Sequence, residues 1–135
     1  MNEVEAYVQI AERTINSSDS LAEQGLQEIS AFCSYHAFES MGGAVCSRLR
    51  LSFPRSHNGK MNQFVVASLR VGHRFRHSVS TIAIILNSLG RNNLLYPNPL
   101  PDGSFEIPEQ RLSVANARDL VRRIRGLKRI IDGYL

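Results

Sequence analysis

The sequence predicts an all-α protein, an antiparallel bundle of four to five helices with a proline-rich loop before the last helix. Apolar residues recur at helical spacing in nearly every segment, and few segments show the alternation of a half-buried strand. Two turn-forming stretches, SFPRSHNG and PNPLPDGSFEIPEQ, interrupt that spacing. At 135 residues the chain has the length of one domain, so we expect residues 1–135 to form a single unit.

The first two predicted helices contain most of the acidic residues and the centre of the bundle. The first is expected over residues 2–15, and the turn-forming NSSDS at residues 16–20 follows it and supplies an N-cap. The second is expected over residues 20–50 and is apolar on several sides, which is typical of a central helix. Its Gly42-Gly43-Ala44 segment predicts the close approach of another helix.

Two shorter helices are predicted in the middle of the chain. The first covers residues 58–69 and follows the break at Pro54. VGHRFRHS, residues 71–78, is polar and contains glycine, so we expect a kink or a connecting loop there. The second of these helices is expected over residues 79–95.

The C-terminal part combines a loop with a strongly amphipathic helix. Three X-Pro steps in residues 97–110 exclude a regular helix and leave room for at most a short pair of strands. Ser113 is a suitable N-cap for a last helix that ends near Tyr134. Opposite the apolar face of that helix lie four arginines within roughly 60° of one another, at about 100° per residue: Arg118, Arg122, Arg125 and Arg129. They form either the solvated back of the helix or a phosphate-binding stripe.

The net charge of +4 conceals an uneven distribution. Residues 1–46 carry seven acids and one base, hence −6, whereas residues 47–135 carry fifteen bases and five acids, hence +10. Fourteen of the sixteen bases are arginines, and the planar guanidinium group suits phosphate. A polyanionic partner and mutual neutralisation of the two halves both explain this distribution.

The cysteines, the hydropathy and the spacing of possible metal ligands predict the cellular location of the protein and whether it binds a metal or a cofactor. Cys33 and Cys46 are thirteen residues apart in one predicted helix, about 20 Å at 1.5 Å per residue, so they cannot pair with each other. No apolar run reaches the roughly 18 residues of a membrane span, and the acidic N-terminus is unlike a signal peptide. We therefore expect a cytoplasmic protein without a membrane partner. No Cys or His pair has metal-ligand spacing and no glycine-rich phosphate loop is present, so we predict no metal and no cofactor.

Four motifs follow one another in an informative order. SYHAFESMGGA lies in the second predicted helix, PRSHNGKMNQF opens the third, RNNLLYP ends the fourth and SVANARDLV begins the last. This order resembles the HEPN superfamily of small antiparallel helical bundles over nearly the whole chain. The resemblance implies a toxin–antitoxin or defence-associated RNA-processing protein, with a nucleotidyltransferase-type antitoxin as a partner. It also implies a homodimer with Arg91 of each copy near the two-fold axis, for which Gly42-Gly43-Ala44 offers a packing surface.

Active members of that superfamily carry an arginine, a polar residue and then a histidine, with four to six residues between the arginine and the histidine. The arginine binds the scissile phosphate, and the histidine, with a pKa near 6.5, transfers a proton. By resemblance Arg91 and Asn92 match the first two positions, whereas Tyr96 stands at the first histidine position and no histidine occupies the others. A free tyrosine has a pKa near 10 and is a weak base at pH 7, so we expect RNA or nucleotide binding without efficient cleavage.

Two alternatives to this interpretation stay open. One is an active metal-independent endoribonuclease with a non-standard base, for which His57 or Tyr96 would be the first residue to test. The other is a non-catalytic dimeric scaffold whose arginines form ordinary surface. Arg91 would then bind the C-terminal carbonyl groups of its own helix.

The densest basic cluster, RVGHRFRH, supplies further candidate contacts. It is either an exposed connecting loop or a phosphate-contacting arm in which Phe75 stacks on bases. Together with the arginines of the last helix, the predicted nucleic-acid-binding residues are Arg70, His73, Arg74, Arg76, His77, Arg118, Arg122, Arg125 and Arg129.

Overall fold

The computed structural model describes all 135 residues and confirms the all-α prediction, with 74% of the chain helical. Five helices follow one another along the chain: α1 (Glu3–Glu23), α2 (Gln27–Arg48), α3 (His57–Ser68), α4 (His73–Leu89) and α5 (Val114–Tyr134). None of the five combines the length and hydropathy needed to cross a bilayer.

Helix α2 is the centre of the bundle, as its apolar residues on several sides predict, and it packs against α1, α3 and α5. Fourteen of its 22 residues are buried. The core is one cluster of 25 buried residues, in which the rings of Phe38 on α2 and Phe64 on α3 lie 4.8 Å apart. Cys33 and Cys46 are both free thiols on α2, which confirms that they do not pair with each other.

The predicted turn at residues 16–20 is wrong. These residues continue α1 to Glu23, and the chain reverses at residues 24–26, where Gly25 takes a φ of +78° that glycine adopts without strain. The serines stay helical because Ser18 is fully buried against α2. Its hydroxyl donates to the backbone oxygen of Ser30 at 2.7 Å and accepts from the Ser34 hydroxyl at 2.6 Å. A hydrogen-bonded serine cluster thus joins the two helices where a turn was expected.

The expected loop at residues 71–78 is also wrong, because α4 begins at His73. Phe75 continues the buried face of Val79, Ile82 and Leu86 at helical spacing and is only 3% exposed. Its ring packs 6.0 Å from that of Phe64, so it is not available for stacking on a base. The arginines and histidines on either side of Phe75 gave this first helical turn the polar composition of an exposed loop, and the loop prediction rested on that composition.

Helix α4 ends at Leu89, six residues before its predicted end. A short 3-10 helix over Asn92–Leu94 follows. The proline-rich loop then contains the expected short pair of strands, β1 (Asn98–Pro99) and β2 (Phe105–Glu106), which run antiparallel. A second 3-10 turn leads to Ser113, whose hydroxyl accepts from the Asn116 backbone N–H and caps α5 as predicted.

The small residues Gly42, Gly43 and Ala44 of α2 pack against other helices of the same chain. Gly42 lies against Phe64 of α3, and a Cβ atom on Gly43 would lie 2.6 Å from the Tyr7 ring of α1. Ala44 is also fully buried. The segment therefore receives two helices of its own chain, and the prediction that it serves as the packing surface of a homodimer is wrong.

Candidate nucleic-acid site

Arg91 lies in a tight turn directly after α4. Gly90 ends the helix with a φ of +76°, and a Cβ atom there would lie 2.7 Å from Nδ2 of Asn93, so the turn favours glycine. The C-terminal carbonyl groups of α4 accept from another arginine: Nε of Arg111 donates to the Leu89 oxygen and Nη2 to the Ser88 oxygen, both at 3.0 Å. Arg111, and not Arg91, therefore caps this helix.

The guanidinium group of Arg91 has no acceptor in the protein. Its central carbon lies 5.1 Å from the centre of the Phe32 ring on α2, a cation–π contact that orients the group without using its N–H donors. It makes neither a side-chain hydrogen bond nor an ion pair. All five donors are therefore available to an anion, and a phosphate is the group that such a planar fork binds best.

His57 and Glu39 form a second, unpredicted part of the site. Nδ1 of His57 lies 2.8 and 3.0 Å from the two carboxylate oxygens of Glu39. The Glu39 side chain is 5% exposed and that of His57 is 42% exposed. Nζ of Lys60 lies 3.8 Å from the same carboxylate. The only acid in the apolar second half of α2 is thus satisfied by two basic groups from α3, a role that its position in SYHAFESMGGA could have signalled.

Tyr35 contributes a hydroxyl group to the same region. It lies one turn before Glu39 and is 3% exposed, and its hydroxyl makes no hydrogen bond within the protein. Burial raises the pKa of Tyr35, the nearby Glu39 carboxylate raises it further, and Arg91 lowers it. The phenol therefore keeps its proton at neutral pH and can donate a hydrogen bond.

These residues meet at one cavity of about 460 Å³. Polar side chains dominate its lining, and none of them is a carboxylate: Tyr35, Ser56, His57, Asn58, Leu86, Asn87, Gly90, Arg91, Asn92 and Asn93. The amides of Asn58, Asn87 and Asn92 have no partner within the protein. The cavity therefore brings the predicted Arg91 and Asn92 together with His57, and it adds amide groups of the kind that read base edges and ribose hydroxyls.

Tyr96 lies apart from this cavity. It follows the 3-10 helix, its side chain is 61% exposed, and it is not among the lining residues. The three members of the predicted motif are thus divided, with Arg91 and Asn92 at the cavity and Tyr96 on the neighbouring surface.

Some of the predicted basic residues of α4 and α5 line a groove between the two helices, which we call the basic groove. It encloses about 400 Å³, and the basic side chains in its lining are Arg74, His77, Arg123 and Arg129. Arg123 was not predicted, and it pairs with Asp119 at 2.9 Å. Arg70, His73 and Arg76 are exposed outside this lining.

The four arginines of the α5 stripe differ in whether they have a carboxylate partner. Arg125 bonds Asp19 of α1 at 2.9 Å and Asn16 at 3.3 Å, so one of the four predicted residues is neutralised by the acidic half of the chain. Arg118, Arg122 and Arg129 have no carboxylate partner. Mutual neutralisation of the two halves is therefore confirmed for Arg125, whereas a polyanionic partner stays a prediction for its neighbours.

A larger cavity of about 530 Å³ lies where the start of α1 meets the ends of α2 and α5. Its lining contains two carboxylates, Glu5 and Asp132, and two guanidinium groups, Arg48 and Arg50. Because these charges balance, this cavity is less suited to a polyanion than the one at Arg91.

Comparison of the chain with protein-family models, curated proteins and solved structures finds no match. The resemblance to the HEPN superfamily therefore rests on the ordered motifs alone. The geometry of Arg91, His57 and Glu39 is independent of that resemblance.

Proposed function

We propose that this protein binds RNA, with Arg91 holding a backbone phosphate at the cavity after α4. The observation that carries the proposal is the unpaired guanidinium group of Arg91, which faces a cavity without a carboxylate in its lining. The Glu39 carboxylate is paired with His57 and Lys60 and does not line the cavity. The helix-capping role that could otherwise explain Arg91 belongs to Arg111. At about 460 Å³ the cavity falls in the size range of small-ligand sites and suits one nucleotide unit.

The basic groove supports the same function. Its lining runs along α4 from Arg74 to Ile82, and Arg91 follows the end of the same helix, so Arg74 and Arg91 are roughly 25 Å apart along the helix axis at 1.5 Å per residue. A single strand of several nucleotides is long enough to contact both. Arg74, His77 and Arg129 would then contact phosphates without reading sequence.

We also propose a homodimer, and an apolar surface beside Arg91 supports it. Seven of the twelve large apolar residues that the protein exposes belong to the start of α2 or to the loop after Arg91: Leu26, Ile29, Leu95, Tyr96, Leu100, Phe105 and Ile107. The two segments lie side by side, since Nε2 of Gln27 donates to the backbone oxygen of Glu109 at 3.1 Å. A second copy on this surface would place its own Arg91 close to the first. A nucleotidyltransferase-type antitoxin stays a prediction from the resemblance.

Fluorescence anisotropy tests RNA binding directly. A labelled single-stranded RNA of mixed sequence is titrated with the protein at low salt, where a phosphate-driven complex is tightest. We expect saturable binding that Arg91→Ala weakens by about tenfold or more, since a charge-assisted contact contributes about 1.5–3 kcal/mol. The control is Arg13→Ala, an exposed arginine of α1 that lies in neither site. Affinity that is undetectable at low salt would refute the proposal.

A further inference from the structure

We infer that the cavity of about 530 Å³ where the start of α1 meets the ends of α2 and α5 binds a small molecule with one oxyanion group, a carboxylate or a phosphate, on an apolar body. Arg48 and Arg50 bind the oxyanion. This cavity is separate from the one at Arg91. The Phe32 ring that contacts Arg91 lies sixteen residues before Arg48 on α2, about 24 Å along the helix axis. The inference does not depend on the proposed RNA binding.

The backbone conformation of Arg50 is the first observation. Arg50 has a φ of +57° and is the only residue other than glycine with a positive φ. It follows the last turn of α2, where the backbone N–H groups of Arg50 and Leu51 donate to carbonyl oxygens of that turn at 3.1 and 2.8 Å. Glycine is the usual residue at this position, because a Cβ atom destabilises the left-handed conformation. The chain does use glycine directly after α1 and α4, where Gly25 and Gly90 have φ values of +78° and +76°.

An arginine thus occupies the left-handed position after α2 at a cost in conformational energy. Strained residues of this kind are concentrated at binding sites, where the side chain has a function that glycine does not supply. The Arg50 side chain lines the cavity, and so does that of Arg48 from the last turn of α2. A role of the Arg50 guanidinium group in binding a ligand therefore explains why glycine is absent here.

The charged groups of the cavity differ in whether they have partners within the protein. Oε2 of Glu5 accepts from the backbone N–H of Asn2 at 2.9 Å. Both carboxylate oxygens of Asp132 accept from Nζ of Lys128, at 2.8 and 2.9 Å. The side chains of the two arginines make neither a hydrogen bond nor an ion pair. The acids therefore already have donors, whereas all guanidinium N–H groups are available to a ligand.

The lining also determines the class of ligand. Three of its nine residues are apolar and partly buried, and two of them, Val4 and Val8, lie one turn apart on the same face of α1. These side chains offer contact to an apolar body, and the volume falls in the range of small-ligand sites. A guanidinium fork binds a carboxylate or a phosphate in the same two-point geometry. Because Glu5 and Asp132 repel further negative charge, a ligand with a single oxyanion group fits best.

Nuclear magnetic resonance titrations of the full chain with hexanoate and with hexyl phosphate test the inference. We expect saturable changes in the backbone amide shifts of residues 4–8 and 47–51 with at least one of the two probes. The probe with the higher affinity identifies the oxyanion. Hexylammonium has the same apolar chain with the opposite charge and should give no such changes. Inorganic phosphate lacks the apolar chain and should bind more weakly than hexyl phosphate.

Arg50→Gly is the decisive variant, because it removes the guanidinium group and introduces the residue that the backbone favours. The midpoint of thermal unfolding should stay the same or rise, whereas affinity for the probe should fall by about tenfold, the loss typical of one charge-assisted contact. Arg48→Ala should lower the affinity to a similar extent. The matched control is Arg55→Ala, an exposed arginine that does not line the cavity, and it should leave the affinity unchanged.

Three results would overturn the inference. The first is the absence of saturable shift changes at residues 4–8 and 47–51 with both hexanoate and hexyl phosphate. The second is equal binding of hexylammonium, which would show that the cavity does not select an anion. The third is unchanged affinity in Arg50→Gly, which would show that the side chain of Arg50 does not contact the ligand.

Discussion

Arg111 binds the last turn of α4 through two hydrogen bonds, to the backbone oxygens of Leu89 and Ser88, both at 3.0 Å. The same side chain reaches Glu106 of β2 at 3.4 Å. An arginine from the proline-rich loop therefore holds the turn that presents Arg91, and it performs the capping that Arg91 would otherwise have been expected to perform. The proline-rich loop therefore helps to hold the turn that carries Arg91 in position.

Replacing Arg111 should loosen this turn. Arg111→Ala removes two charge-assisted hydrogen bonds from a side chain that is about three-quarters buried, so we expect a loss of about 1–2 kcal/mol in the free energy of unfolding. RNA affinity should fall as well, although Arg111 does not line the cavity. Urea unfolding measures the first effect and anisotropy the second. Arg13→Ala, which removes an exposed guanidinium without a partner, should change neither, and an equal change in both variants would contradict this assignment.

Two glycine substitutions should have opposite effects on stability. Gly43→Ala places a Cβ atom 2.6 Å from the Tyr7 ring, so α1 must shift, and we expect a loss of about 1–3 kcal/mol. Gly126→Ala meets nothing within 4 Å in the middle of α5, so we expect a gain of about 0.5–1 kcal/mol from helix propensity. Thermal melts followed by circular dichroism compare the two. Equal changes of the same sign would show that α1 does not pack closely on Gly43.

The dimer prediction is tested by one pair of variants on exposed isoleucines. Ile29, 43% exposed, lies on the apolar surface beside Arg91, whereas Ile84, 70% exposed, lies on α4 outside it. Ile29→Glu should shift the protein to monomer in light scattering at micromolar concentration, because it inserts a charge into a desolvated interface. Ile84→Glu should leave the dimer intact. A monomeric wild-type protein, or a dimer broken only by Ile84→Glu, would contradict the proposed surface.

The basic groove should determine how RNA affinity depends on salt. Arg129 lines the groove and has no carboxylate partner, whereas Arg125, one turn away, already binds Asp19. Arg129→Ala should reduce the slope of log affinity against log salt by about 0.7, the value for one phosphate contact on a single strand. Arg125→Ala should reduce it less. Identical slopes in the two variants would indicate that the RNA does not enter the groove.

The sequence predicted the parts of the fold that apolar spacing encodes. The helical class, the central place of α2 and the C-terminal end of α5 follow from that spacing, and the Ser113 N-cap predicts where α5 begins. The limits of α1 and α4 do not follow from it, and neither does the start of α2, which lies at Gln27 and not at residue 20. Ser18 is a buried polar residue and Phe75 an apolar residue among basic ones, so each belongs to a segment whose composition is typical of a loop. Local composition therefore misleads where a single tertiary contact determines the structure.

The candidate site was predictable only in part, for a similar reason. Arg91 and Asn92 belong to one motif and can be found from it. His57 and Glu39 lie eighteen residues apart on different helices, and only the packing of α2 against α3 brings Nδ1 to within 2.8 Å of the carboxylate. The spacing of residues along the chain therefore does not predict this pair. An acidic residue within an apolar helix does indicate that its carboxylate needs a basic partner.

The most direct test of the central claim is a nuclear magnetic resonance titration that locates bound RNA on the protein. A short RNA with methylated 2′-hydroxyl groups is added at low salt, and the backbone amide and histidine ring signals are followed. We expect the largest shift changes at residues 90–93 and in the His57 ring, with smaller changes at Arg74 and His77 of the basic groove. Shift changes confined to the groove, or spread evenly over exposed basic residues while residues 90–93 and His57 stay unchanged, would contradict the claim.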